Sequence, residues 1–309
     1  MPAETNNLPV TAAGLLPIRT VSTLTGVNAV TLRAWERRYG LISPQRTPKG
    51  HRLYTQRDVD HIKQILDLLG QGIAVSRVKP LLEHTGSAPL TAENGDAWKI
   101  YQETMLAAIE RFDEPALDRA YNDALSLYPV DIVSERLTTP LLRLLGERWS
   151  KRETGIVEEH FFSVFLRNKL GARIHHMNQR GTGPLLLLAC LPGELHDIGL
   201  LFFALAAVNA GYRVLVLGAN TPLAQIPAVL EQRPCAGIIL SGSSKPARAM
   251  LETDLPELIS HIDTPVFVGG HTAVSHREMF EKAGAIFMGE QIAAGLQMLN
   301  ITLKTYRTP

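Results

Sequence analysis

Residues 32–41 read Leu-Arg-Ala-Trp-Glu-Arg-Arg-Tyr-Gly-Leu, and residues 46–54 read Arg-Thr-Pro-Lys-Gly-His-Arg-Leu-Tyr. The first stretch has helical spacing of apolar residues and stops at a glycine. The second places a Lys-Gly turn between two basic arms, which predicts a hairpin. A short helix at 18–24, a turn at Gly26 and an N-cap at Asn28 precede them. This order predicts a winged helix-turn-helix, followed by helices near 56–69 and 76–83.

Basic residues are concentrated in the same stretch. Between Arg33 and Arg57 the chain has seven Lys or Arg residues against one acid, Glu36, although the formal net charge of the whole chain is only +1. Such a local excess is typical of a nucleic-acid-binding module. The alternative is a helical domain with a solvated basic face. The ordered helices and wing favour DNA binding, with the second helix in a major groove and the wing on phosphates or a minor groove.

The helical spacing also predicts which way the second helix faces. Val30 and Ala34 are four residues apart and are expected to face the core, whereas Thr31 and Glu36 are expected to point outward with the neighbouring arginines. Trp35, Arg38 and Tyr39 are expected to contact the DNA backbone or to brace the fold. The residues predicted to contact DNA are Thr31, Arg33, Trp35, Arg37, Arg38, Tyr39, Arg46, Lys49, His51, Arg52 and Tyr54.

Residues 32–41 and the wing at 46–54 are similar to the MerR family of transcriptional regulators, and the resemblance covers 18–83. It implies a protein that binds double-stranded, pseudo-palindromic operator DNA as a dimer. A symmetric operator has two half-sites, and each must be bound by one copy of the DNA-binding domain, so self-association is expected. The sequence does not distinguish a dimer from a tetramer.

The rest of the chain divides by composition and periodicity. The predicted segments are a disordered leader at 1–16, the winged helix-turn-helix at 17–84, a linker at 85–96, a four-helix bundle at 97–180 and an α/β domain at 181–309. In the last segment, apolar runs alternate with helical stretches about five times. The runs predicted as strands are 184–190, 213–217, 237–240, 266–268 and 285–288. Continuous apolar strands are typical of a parallel sheet buried on both faces. The predicted fold is therefore a doubly wound, five-stranded parallel sheet of the flavodoxin-like type.

A second motif, Glu194-Leu195-His196-Asp197-Ile198-Gly199, follows the first predicted strand. Imidazole is a common ligand of transition metals, and Asp197 could cap the next helix or orient the imidazole. Ser241 follows the third strand, and Gly269-Gly270 follows the fourth. Ligands of open α/β sheets bind at these carboxyl ends. The alternative is a histidine that merely caps a helix in a CheY-like or flavodoxin-like domain.

This second pattern resembles the cobalamin-binding domain of methionine synthase and the B12-dependent mutases. Their pattern is Asp-x-His-x-x-Gly, then Ser-x-Leu, then Gly-Gly; here Glu194 replaces the Asp and Ser243 replaces the Leu. The resemblance implies that His196 is the lower ligand of cobalt. It also implies a pocket for the nucleotide tail, lined by Glu194, Gly199, Ser241, Gly269 and Gly270.

Trp149, Glu159 and His160 in the helical segment match the cap motif of light-sensing cobalamin repressors of the CarH/LitR type. The resemblance implies that these residues cover the upper face of adenosylcobalamin, that the protein assembles a DNA-binding tetramer in the dark, and that light disassembles it. One departure concerns Ser150, because the best-understood members have there a histidine that captures cobalt after photolysis.

The sequence therefore predicts a DNA-binding regulator, a repressor with a cobalamin sensor and no catalytic activity. The alternative is a regulator of the same fold that does not use cobalamin and responds through a partner protein, which Ser150 and Ser243 would favour. A cobalamin-dependent enzyme subunit is disfavoured, because such a subunit needs no basic wing. Two cysteines, Cys190 and Cys235, and no long apolar stretch are expected of a cytoplasmic protein that does not enter a membrane.

Overall fold

The computed structural model describes residues 14–83, 96–179 and 181–305. The chain forms two compact units that divide between Phe162 and Ser163. The predicted linker lies outside the described residues except for residue 96, and so does the predicted leader except for its last three residues. Leu16, the final residue assigned to that leader, lies in a strand.

The first unit begins with the predicted winged helix-turn-helix. Its short antiparallel sheet has the order β1-β3-β2, with the strands β1 (Leu16–Pro17), β2 (Gln45–Arg46) and β3 (Arg52–Tyr54). Its helices are α1 (Ile18–Thr25), α2 (Ala29–Ala34, extended by a π-helical turn at Trp35–Tyr39), α3 (Gln56–Gly70) and α4 (Val75–Glu83). Asn28 caps α2 as predicted, because its Oδ1 accepts a hydrogen bond from the Thr31 backbone N–H at 2.8 Å.

Four helical stretches follow, as the sequence predicts. They are α5 (Asp96–Glu110), α6 (Glu114–Leu127), a continuous stretch made of α7 (Val130–Val133), a π-helical turn (Ser134–Thr138) and α8 (Thr139–Glu147), and finally α9 (Gly155–Asn178). Asp113 fixes the start of α6, because its Oδ1 accepts from the Ala116 N–H at 3.0 Å. Pro140 directly follows the π-helical turn within this continuous stretch.

The helix-turn-helix packs directly on the end of α6. The indole Nε1 of Trp35 donates to the Leu127 carbonyl at 2.8 Å, and the Thr31 hydroxyl donates to the Leu125 carbonyl at 3.3 Å. The Tyr128 hydroxyl accepts from the Val75 N–H at 3.4 Å. The winged helix-turn-helix and the bundle residues as far as Phe162, which were predicted as separate domains, thus share one compact unit.

The second unit is the predicted doubly wound sheet. Five parallel strands stand in the order β5-β4-β6-β7-β8, with bounds Leu185–Cys190 (β4), Arg213–Gly218 (β5), Gly237–Ser241 (β6), Val266–Gly269 (β7) and Ile286–Gly289 (β8). The helices are α10 (Ile198–Asn209), α11 (Ile226–Gln232), α12 (Leu255–Ser260), α13 (His271–Ser275), α14 (Arg277–Lys282) and α15 (Ile292–Thr305). The chain reverses its direction of winding between β4 and β6, and the crevice at this point is where such sheets bind ligands.

The central strands are fully buried, which explains their uninterrupted apolar sequence. Leu186, Leu187 and Leu188 of β4 have no exposed surface, as expected for a strand covered by helices on both faces. Across the described ranges, no helix is both long and apolar enough to span a bilayer.

Candidate functional site

The exposed face of α2 carries the candidate DNA-reading side chains. Val30, Arg33 and Arg37 follow each other at helical spacing and are all exposed, Val30 by 61%. Arg38, Arg46, Lys49 and His51 are also exposed, whereas Tyr39 and Arg52 are half-buried. The structure therefore presents six of the eleven residues predicted to contact DNA at the surface of the helix and wing.

Three residues predicted to contact DNA are buried instead. Thr31, Trp35 and Tyr54 have no exposed surface, so the prediction that Thr31 points outward and Val30 inward is wrong. The physical reason is that α6 covers the face that contains Thr31 and Trp35 and accepts a hydrogen bond from each. Tyr54 ends β3 inside the fold, where burial raises the pKa of its hydroxyl to about 12.

Glu36 ties the wing to the reading helix. Its carboxylate accepts from Arg46 Nη2 at 2.6 Å and from Arg52 Nε, although it was expected to point outward. Burial alone would raise the pKa of Glu36, but the two guanidinium groups outweigh it and lower the pKa below 4.5. The one acid in the basic stretch therefore orients two of its arginines.

The second candidate site lies beyond β4, where Glu194 and His196 contact each other. Glu194 Oε1 accepts from the His196 backbone N–H at 2.8 Å and lies 2.7 Å from His196 Nδ1. Glu194 is 2% exposed, whereas the His196 side chain is 55% exposed. The carboxylate is thus held inside the loop, and the imidazole extends from it.

The other oxygen of Glu194 binds the loop that follows β6. Its Oε2 accepts from the backbone N–H groups of Ser243 and Ser244 at 2.5 and 2.9 Å. It also accepts from their hydroxyls at 2.9 and 3.0 Å. Burial would raise the pKa of Glu194, but the hydrogen bonds from Ser243, His196 and Ser244 lower it to about 2. Ser243, a departure from the expected pattern, is therefore a donor in this hydrogen-bond network.

These contacts determine which nitrogen of His196 could bind a metal. An ionised carboxylate can only accept hydrogen bonds, so His196 Nδ1 must be the donor to Glu194. In the neutral ring, Nε2 then carries the lone pair, which is the arrangement that carboxylates enforce on metal-binding histidines. His196 Nε2 can therefore serve as a single nitrogen ligand to a cobalt centre.

The predicted small residues stand at the strand ends, but one glycine has a packing reason of its own. Gly270 has φ +89°, and a Cβ there would lie 2.5 Å from the Gly242 carbonyl oxygen. Gly269 and Ser241 are paired at the ends of β7 and β6. Around Gly199, by contrast, a Cβ would meet nothing within 4 Å. Gly270 is thus required by the protein's own backbone, whereas Gly199 leaves open space.

The predicted cap residues belong to the first unit. Trp149 lies just after α8 and is 41% exposed; Glu159, in α9, is 9% exposed, and His160 Nε2 lies 4.0 Å from Glu159 Oε2. Arg148, next to Trp149, and Arg152 both donate to Glu110, at 2.7 and 2.9 Å. Ion pairs therefore fix the turn that carries the tryptophan.

Two segments of the chain match known protein families. Residues 16–85 match the family described as "MerR HTH family regulatory protein", and residues 101–174 match "B12 binding domain". The chain is 33% identical to the HTH-type transcriptional repressor CarH of Myxococcus xanthus over 291 residues, which cover 89% of this chain and 95% of that one. The chain belongs to the CarH family of transcriptional repressors.

Other relatives are consistent with this family. The HTH-type transcriptional repressor CarA of Myxococcus xanthus is 29% identical over 87% of this chain and 91% of its own length. A monomethylamine corrinoid protein of Methanosarcina barkeri has a similar fold, with a TM-score of 0.51 at 16% identity over 67% of this chain and 99% of that one. The predicted resemblance to CarH-type repressors is therefore confirmed.

Sequence reasoning missed two features of this CarH-family chain. Val30 was assigned to the core, although the i, i+3 pair Leu32 and Trp35 gave the stronger apolar signal for the buried face. Asp197 was expected to cap α10 or to orient His196, but its carboxylate pairs with Arg167. No local sequence signal connects residues 30 positions apart.

Proposed function

We propose that the chain is a DNA-binding transcriptional repressor whose DNA binding is controlled by cobalamin, bound as adenosylcobalamin with His196 as the lower cobalt ligand. Trp149, Glu159 and His160 are proposed as contacts to the upper axial group, as the family resemblance implies. The bound cofactor would supply a light-sensitive cobalt–carbon bond. The single observation that carries the proposal is the Glu194–His196 hydrogen bond at the crevice of the sheet.

The residues of the chain have separate tasks in this proposal. Glu194 holds the proton on His196 Nδ1 and so keeps Nε2 as the metal-binding nitrogen. The open space beside Gly199 allows a large ligand to approach the backbone. On the DNA side, the exposed guanidinium groups of Arg33 and Arg37 provide groove and phosphate contacts.

An absorption spectrum tests the cobalamin part. The full chain is incubated with adenosylcobalamin in the dark, freed of unbound cofactor by gel filtration and scanned. We expect a retained corrinoid spectrum with the wild type and much weaker retention with His196→Ala. His176→Ala, which changes an exposed histidine of α9 in the same unit, is the matched control. A colourless wild-type protein would refute cobalamin binding.

Selection from a random duplex library supplies an operator for the DNA part. Binding of the selected duplex is then measured in the dark with adenosylcobalamin and after illumination. We expect tight binding in the dark and weaker binding after light. Equal binding in both states would refute light control. It would not affect the conclusions on DNA binding, which the selected duplex tests, or on cofactor retention, which the absorption spectrum tests.

The second candidate function is a repressor that keeps this fold but responds through a partner protein. Ser150 favours it, because a hydroxyl is a poor ligand for cobalt compared with imidazole. Undiminished operator binding and an undiminished light response in His196→Ala would support this candidate against the first.

A further inference from the structure

Arg167 and Asp197 form a two-pronged ion pair beside the candidate cobalt ligand. Arg167 Nε lies 3.0 Å from Asp197 Oδ1 and 2.9 Å from Oδ2, and Nη2 lies 2.9 Å from Oδ1. Both residues belong to the second unit. Arginine pairs of this kind fix orientation as well as supplying energy, because two N–H groups engage one planar carboxylate.

The position of Asp197 gives the pair a consequence for His196. Asp197 directly follows His196 in the chain and directly precedes α10, yet its side chain forms no helix-capping hydrogen bond. Asp197 is 9% exposed, so its carboxylate depends on a charged partner to offset the cost of burial. Arg167 supplies that partner from α9.

The loop is anchored on both sides of His196. On one side, Glu194 is held by the serine loop, and its backbone carbonyl accepts from the Asn220 N–H at 2.8 Å. On the other side stands the Arg167–Asp197 pair. The backbone of His196 is thus anchored on both sides, and its imidazole is oriented by Glu194 Oε1 at 2.7 Å. A metal ligand is most effective when it is held in place before the metal arrives.

We propose that Arg167 is a positioning residue for His196: it fixes the loop so that the imidazole is held ready to bind cobalt. This inference rests on the proposed function, since it concerns the residue that would bind the cofactor. A positioning role and a purely structural role of Arg167 predict different results. If Arg167 positions His196, its loss should weaken the cobalt–nitrogen bond in a protein that remains folded.

The test uses the full chain with cob(II)alamin, and the variants Arg167→Met and Arg167→Lys. In protein labelled with 15N-histidine, electron paramagnetic resonance reports a His196 ligand as a two-line superhyperfine splitting, which differs from the three-line splitting of the 14N base of cobalamin itself. We expect the splitting in the wild type and a large loss of it in Arg167→Met. Arg167→Lys should give an intermediate result, because lysine keeps the charge but not the two N–H groups that engage the carboxylate together. The dissociation constant should rise about tenfold in Arg167→Met, as is common when groups that orient metal ligands are removed.

Arg248→Met is the matched control, because Arg248 also pairs with a carboxylate, Glu252 at 2.7 Å, but on an exposed helical surface of the same unit. It should behave as the wild type. Hydrogen exchange of residues 192–198 in the cofactor-free protein is the second readout and should be faster in Arg167→Met. If Arg167→Met does not fold, Arg167→Lys decides the question by the same two measurements.

The outcomes separate the two proposals. If the wild type retains cobalamin and Arg167→Met shows wild-type splitting and affinity, the positioning role is refuted and the proposed function stands. If the wild type retains no cobalamin, the proposed function fails, and the role of Arg167 toward cobalt fails with it.

Discussion

Glu194→Gln is the substitution that tests the candidate cofactor loop most directly. The carboxylate accepts six hydrogen bonds, two from His196 and four from Ser243 and Ser244. A glutamine amide keeps one oxygen but turns an NH2 group toward one set of donors. The pKa of Glu194 falls from 4.5 to about 2, which corresponds to about 3 kcal/mol of stabilisation of the charged form. We expect a loss of that order in the second unit.

The pH dependence has a defined sign. Because the pKa of Glu194 is lower in the folded protein, its contribution is fully present above the ordinary value of 4.5 and disappears as the pH falls through about 2. The difference in unfolding free energy between wild type and Glu194→Gln should therefore be largest at pH 6 to 7 and shrink between about pH 4.5 and 2. Other carboxylates titrate in both proteins and cancel in the difference.

Hydrogen exchange localises the effect to the second unit. The opening free energy is measured from peptides that cover β4 and residues 237–244 in the cofactor-free full chain, and urea unfolding extends the comparison to low pH. Glu231→Gln, an exposed glutamate in α11, is the control and should change neither measurement. Equal protection in wild type and Glu194→Gln at pH 7 would refute the hydrogen-bond network as a source of stability.

Three further substitutions test other parts of the structure. Trp35→Phe removes the donor to the half-buried Leu127 carbonyl and should cost about 1–3 kcal/mol in urea unfolding. Val30→Glu places a carboxylate on the reading face and should weaken binding to a selected operator at least about tenfold, without loss of stability. Gly270→Ala would bring a Cβ within 2.5 Å of the Gly242 oxygen at φ +89° and should lower the unfolding free energy by about 2 kcal/mol.

Each of these has a matched control. Trp98→Phe removes an indole N–H for which the described part of the chain offers no acceptor, so it should cost less than Trp35→Phe. Val30→Gln, which keeps the face neutral, should retain operator binding better than Val30→Glu. Gly199→Ala meets no atom within 4 Å and should be tolerated. Reversal of any of these orders would contradict the corresponding assignment.

Local sequence patterns predicted the elements of the fold more accurately than the faces they bury. The apolar runs gave all five strands of the parallel sheet to within one residue at each end, because a strand covered on both faces must be apolar throughout. The cap at Asn28 was likewise readable, since it depends on its neighbour Thr31 alone. Such features are encoded within a few residues of where they act.

The errors arise where distant segments meet. The face of α2 that carries Thr31 is buried because Leu125 and Leu127 pack on it from more than 90 residues away. The pairing of Asp197 with Arg167 likewise joins two segments that share no motif. Periodicity predicts that a helix has an apolar face, but it does not identify the distant segment that covers a polar residue such as Thr31.

The two departures from the cobalamin-binding pattern are connected in the structure. Glu194 has one methylene more than the aspartate it replaces, and its carboxylate reaches His196 with one oxygen and the loop after β6 with the other. That loop offers hydroxyl and N–H donors because Ser243 stands where the pattern has a leucine. A leucine would supply only its backbone N–H. We infer that Glu194 and Ser243 together hold His196 in place. Ser243 by itself therefore does not argue against a cobalt ligand at His196. Ser150, which has no such compensating partner in this network, remains the residue that favours a different response to light.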